Sequence, residues 1–236
     1  MDWPLLNSLD EVLLQVQTGS PRKVLFWGDG VGGISSYVAG WMAGKGIDVI
    51  LLDGANRFDP YMASSFARRA LIPPERLLRR IRIARAFTCY QMATLMGERL
   101  VSLLRQEEVT APRQKPWVIV LGPITTFLDE DVPEREVRPL FERSLKGVEE
   151  MAMGEIPFFL FQPSIFSKNN HPLTKGRVGG LMDSKRAYLT KRLFQFSNLV
   201  WRISLDDQEP KIVLEKKIAD GRWLMADRKN QIANTQ

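Results

Sequence analysis

The densest set of groups suited to chemistry in this sequence is Gly28-Asp-Gly-Val-Gly-Gly-Ile-Ser-Ser36. An apolar run, Val24-Leu-Phe-Trp27, precedes it, and an amphipathic run, Tyr37-Val-Ala-Gly-Trp-Met42, follows. That order reads as strand, glycine loop, helix. Such a loop binds phosphate: successive backbone N–H groups form a nest and the helix N-terminus adds partial positive charge. Two patterns fit. In the first, Gly28 and Gly33 have P-loop spacing, Ser35 stands ready for Mg²⁺ with Ser36 beside it, but Ile34 occupies the lysine position. In the second, Gly28, Gly30 and Gly33 form a dinucleotide fingerprint, and Asp53, 20 residues after Gly33, is placed to hydrogen-bond a ribose. The second pattern needs no lysine. Asp29 inside the loop opposes phosphate charge in either.

The elements that must position this loop are legible as apolar runs. Strands are expected at Lys23–Trp27, Ile47–Asp53, Ile81–Phe87, Trp117–Leu121 and Ile156–Phe161. Most of them are continuously apolar, which argues for a mostly parallel sheet covered on both faces. Helices are expected between them: one starting at an N-cap Ser8 with Glu11 three residues on, one after the glycine loop ending at Gly44-Lys-Gly46, then 60–70, 90–105 and 133–153. A helix over 181–195 is followed by strands at Leu199–Ile203, Lys211–Glu215 and Arg222–Met225, with a turn at Asp220-Gly221. The fold expected is α/β, one domain over 1–226, with a polar tail over 227–236.

The composition narrows the chemistry. One cysteine, Cys89, permits no internal disulfide, which suits a reducing cytoplasm. With His171 the lone histidine, a zinc site of the usual ligand set is not expected. The N-terminus has no signal-peptide pattern, and no apolar run approaches a membrane span. The net charge of +6 is compatible with a polyanionic partner.

Five further segments, in collinear order over nearly the whole chain, resemble RecA-type strand-exchange recombinases of the archaeal and eukaryotic RadA-like branch. They are Leu6–Leu14 with Thr18-Gly-Ser20; Leu52-Asp-Gly-Ala-Asn-Arg-Phe-Asp-Pro60; Arg82–Met92; Phe161-Gln-Pro-Ser164; and Gly179-Gly180 with Lys191-Arg-Leu193. The resemblance implies a RecA-like P-loop core, a mostly parallel sheet with helices on both faces and a C-terminal antiparallel extension. It also aligns three departures. The P-loop lysine falls on Ile34, the water-activating glutamate on Ala55, and the metal-holding aspartate on Gly122. Phosphoryl transfer rests on those groups, so hydrolysis is not expected, while ATP binding without turnover stays open. Arg57 and Lys45 are the candidate cations to replace the lysine, and Lys45 sits at the far end of the helix.

In the family, the segment corresponding to Pro163–Arg192 lines single-stranded DNA. Here it carries Lys168, Lys175, Arg177, Lys185 and Arg186 around Gly179 and Gly180, with Asp183 its lone acid up to Arg192. Cations so spaced suit a salt-dependent, sequence-independent phosphate contact. Arg79, Arg80, Arg82 and Arg85 form a second basic cluster, read as a solvated helix end and strand. Gln162 reads as a satisfied strand-end amide, and Cys89 as buried and inert. The resulting expectation is a non-hydrolysing accessory of DNA repair or recombination that binds single-stranded DNA or an active recombinase. Because the lead-in lies near the N-terminus, dimers or mixed complexes are expected rather than long filaments. A nucleotide-cofactor enzyme using Gly28, Gly30, Gly33 and Asp53, and a scaffold without DNA affinity, stand as alternatives.

Overall fold

The apolar runs become strands that alternate between two cores. In a computed structural model, which describes residues 4–19, 22–110, 115–164, 186–205, 210–219 and 222–225, Val24 and Phe26 point into one hydrophobic cluster and Leu25 into the other. Val49 and Leu51 alternate with Ile50 and Leu52 in the same way, as do Ile119 and Leu121 with Val118 and Val120. A strand buried on both faces must read as continuously apolar, the pattern the sequence shows.

The strands are β1 (Lys23–Gly28), β2 (Val49–Asp53), β3 (Ile81–Arg85), β4 (Trp117–Leu121), β5 (Phe158–Pro163), β6 (Leu199–Leu205), β7 (Pro210–Ala219) and β8 (Arg222–Met225). They form one sheet in the order β3-β2-β4-β5-β1-β6-β7-β8. All pairings from β3 to β6 are parallel, and β7 and β8 join antiparallel. Helices α1 (Pro4–Gly19), α2 (Val31–Gly44), α3 (Pro60–Arg69) and α4 (Pro74–Leu78) pack on one face. Helices α5 (Cys89–Thr94), α6 (Leu100–Thr110), α7 (Glu134–Met153) and α8 (Ala187–Phe196) cover the other. The chain is thus α/β with a mostly parallel sheet, helices on both faces and a C-terminal antiparallel pair. No described helix is long and apolar enough to cross a membrane.

Local chemistry explains the boundaries. Asp59 caps α3 by accepting from Tyr61 N (2.8 Å), and Thr88 caps α5 by accepting from Gln91 N (3.2 Å). Ser8 is not an N-cap: α1 starts four residues earlier, on Pro4, a residue preset for the first helical position. The helix expected over 90–105 is interrupted by a π turn at Leu95–Arg99. There the backbones of Gly97 and Gly147 of α7 meet so closely that a Cβ on Gly147 would lie 3.1 Å from Gly97 Cα. The strand expected to reach Phe87 ends at Arg85. The turn at 220–221 and the tail lie outside the described residues.

Candidate functional site

The glycine segment is not the open loop its spacing suggests. β1 ends on Gly28, a turn takes Asp29 and Gly30, and α2 already begins at Val31. Gly32, Gly33 and Ile34 are therefore helical, and Ile34 N donates to Gly30 O at 3.1 Å. A phosphate nest over 28–35 is replaced by this two-residue turn. Both hydroxyls expected near Mg²⁺ are buried and spent: Ser35 and Ser36 Oγ donate to Gly32 O at 2.8 and 2.9 Å, and Ser36 Oγ accepts from Asp59 N. Gly28 is forced by space, since its φ is +123° and a Cβ there would lie 2.0 Å from Ile203 O. The first-turn N–H groups of α2 retain their usual capacity for an anion, with Asp29 beside them.

The three positions at which the resemblance expects a lysine, a glutamate and an aspartate are closed off by packing. Ile34 is 1% exposed and belongs to the same core as Leu121 and Phe161. Gly122 has φ +68°, and a Cβ on it would meet Thr125 Oγ1 at 2.6 Å, Ala55 Cβ at 2.7 Å and Ala55 N at 2.9 Å. An aspartate has no room at 122, and Ala55 is one of the atoms that closes the space. Neither substitute cation takes the lysine's place. Lys45 Nζ lies over the Trp41 ring at the other end of α2, and Arg57 packs its Cβ 3.1 Å from where a Gly32 Cβ would stand.

The dinucleotide reading fails on topology. Its strand order sets the glycine loop and the acid on neighbouring strands. Here β5 and β4 intervene between β1 and β2, three strand spacings or about 14 Å. Asp53 is fully buried, and its two oxygens accept from Arg57 N (3.2 Å) and Phe58 N (3.0 Å), with Arg85 Nε at 3.7 Å. It shapes the turn after β2 instead of facing a ribose.

Of the basic segment, Lys168, Lys175, Arg177, Gly179, Gly180 and Lys185 lie outside the described residues, as does His171. Arg186 is described, and it is not a free cation. It is 8% exposed, its guanidinium donates to Phe127 O at 2.8 Å and to the carbonyls of Asp129 and Val132, and its Nε lies 3.6 Å from Glu134. The expectation that Arg186 contacts DNA is therefore corrected: five N–H donors in a planar fork suit it to gather the carbonyls of one turn. The other end of the segment is tied to the same turn through Gln162 and to the end of β1 through Ser164. Gln162 Oε1 accepts from Ile124 N (3.2 Å), and Ser164 N donates to Gly28 O (2.7 Å). Arg192 Nε donates to both carboxylate oxygens of Glu142, at 3.0 and 3.1 Å, while Lys191 is exposed.

Sequence reasoning missed Lys216 of β7. Its ammonium donates to the carbonyls of Phe194, Gln195 and Ser197, closing the C-terminal end of α8, and burial lowers its pKa to about 8. No local pattern announces a cap that arrives from another strand. Cys89 is buried and its thiol is pushed up by that burial, which fits an inert role. Among the described residues no cluster of three or more histidine, cysteine or acidic side chains could hold a metal. No family model matches the chain, and no curated protein matches it.

Proposed function

We propose that this chain is a non-hydrolysing, RecA/RadA-like accessory of DNA repair or homologous recombination. It binds single-stranded DNA, an active recombinase, or both, alone or as a dimer, and needs no nucleotide to do so. The observation that carries the reading is the fate of three positions. Ile34 is core, while Ala55 and Gly122 close on each other, so the groups the resemblance calls for are absent together and their space is occupied. A mostly parallel sheet with a C-terminal antiparallel pair agrees with the resemblance at the coarser level.

The DNA contact is assigned to Lys168, Lys175, Arg177 and Lys185, with Gly179 and Gly180 letting backbone approach phosphate. Arg186 serves this contact indirectly. Together with Gln162 it ties both ends of the segment to the turn after β4. The test is the pure protein with Mg²⁺-ATP and a labelled oligonucleotide. Binding without turnover supports the reading. Robust Mg²⁺-dependent hydrolysis overturns it, and absence of DNA binding at low salt favours a scaffold.

A further inference from the structure

We infer that the arginine face built from the end of α3, α4 and edge strand β3 is a second contact surface for the phosphate backbone of single-stranded DNA. The inference rests on the proposed DNA binding and adds a site to it.

Residues 68–85 hold seven arginines, no lysine and one acid, Glu75, a net +6 that equals the charge of the whole chain. The remainder of the protein is balanced. Four of the seven are already engaged: Arg80 with Asp48 at 2.8 Å, Arg69 with the Tyr37 ring and hydroxyl, Arg85 with buried Asp53, and Arg82 in an interaction of its own. Arg68, Arg76 and Arg79 are exposed and form no ion pair with another described residue. Guanidinium forks hold phosphate oxygens bidentately, which lysine cannot do. Past the end of β3, Phe87 is 67% exposed, and Ile83 on the strand is 44% exposed. β3 is also a sheet edge, where an acidic peptide could add as a strand. Charged side chains on an edge oppose strand addition, and Arg82 and Arg85 are both exposed there. A backbone lying across the guanidiniums meets no such obstacle.

The test compares two triple variants by salt titration of a fluorescein-labelled oligothymidylate. One is Arg68→Gln/Arg76→Gln/Arg79→Gln; the other is Lys168→Gln/Lys175→Gln/Arg177→Gln. Each single-strand phosphate contact contributes about 0.7 to the slope of log K against log salt. Loss of three on the arginine face should flatten the slope by about 2, so that affinity falls about 15-fold less between 50 and 200 mM salt than for the unaltered chain. The matching arginine-to-lysine triple should keep the slope. If the arginine-face variant superimposes on the unaltered chain while the other loses binding, this proposal fails and the proposed function stands. If the unaltered chain does not bind at low salt, this proposal fails together with the DNA-binding arm of the proposed function. If polyglutamate displaces the oligonucleotide as well as polythymidylate does, the face takes acidic chains in general and the assignment to DNA is overturned.

Discussion

Ile34→Lys restores the cation that the glycine segment lacks, and it should damage the protein. Ile34 is 1% exposed, one turn into α2, against a core that includes Leu121 and Phe161. Removing a fully buried isoleucine side chain forfeits about 1.5–3 kcal/mol. Placing an ammonium in that space adds several kcal/mol unless it escapes to water, and its position in the first turn opposes the helix dipole by about 0.3–1 kcal/mol. With the burial cost taken as about 3 kcal/mol, the sum is about 5–7 kcal/mol, against the roughly 5–15 kcal/mol that holds a domain together. Urea unfolding followed by tryptophan fluorescence should show a large fall in midpoint at an unchanged slope, or no cooperative transition. Ile34→Leu, which conserves volume, should cost less than about 1.5 kcal/mol. A lysine variant within 1 kcal/mol of the parent that also binds Mg²⁺-ATP would refute the reasoning: the turn at Asp29-Gly30 would then open into a nest.

The remaining expectations concern the same region and its supports. Arg186→Ala leaves three carbonyls without their donor and should lose about 3–5 kcal/mol in denaturation. Arg186→Lys should recover little of it, since a point charge cannot fork, and a loss below 1 kcal/mol would return Arg186 to the pool of free cations. Asp53→Asn keeps the shape but removes one of the two acceptors for Arg57 and Phe58 N–H. It should cost about 2–3 kcal/mol and speed hydrogen exchange at those two amides. Burial, with the Asp10 carboxylate beside it, pushes the Tyr37 phenol up to about 12. The folded chain then holds that proton after the unfolded chain has released it, so stability falls as pH rises from about 10 through 12. Phenolate absorbance should show Tyr37 titrating late, and Tyr37→Phe should flatten the alkaline fall in stability.

Much of the fold was legible because burial on both faces leaves a mark in one dimension. Trp117–Leu121 could be nothing but a covered strand, and the structure gives it those same bounds. The Arg222–Met225 strand matched as well. The candidate site was less legible, for a physical reason. A glycine pattern fixes spacing, but glycine is compatible with loop and helix alike. What decides that α2 starts at Val31 is tertiary: the Ile203 carbonyl against Gly28, and the buried Ser36 bound to Gly32 O and Asp59 N. Asp53 had the right number of residues before it for a ribose ligand, yet strand order is not written in spacing, and two intervening strands remove it from the glycine turn. Arg186 looked like one more cation in a basic run because its partners are main-chain carbonyls more than 50 residues away. Main-chain acceptors have no sequence signature. The vacant positions were the opposite case: Ile34, Ala55 and Gly122 could be singled out in the sequence, and the structure adds that their space is closed.

The central claim is DNA binding uncoupled from nucleotide. Its most direct test is the affinity of the pure protein for a labelled single-stranded oligonucleotide, titrated with salt in the presence and absence of Mg²⁺-ATP. Two superimposable curves with a steep salt slope are predicted. A shift of tenfold or more on adding ATP, or no binding at low salt, would contradict it.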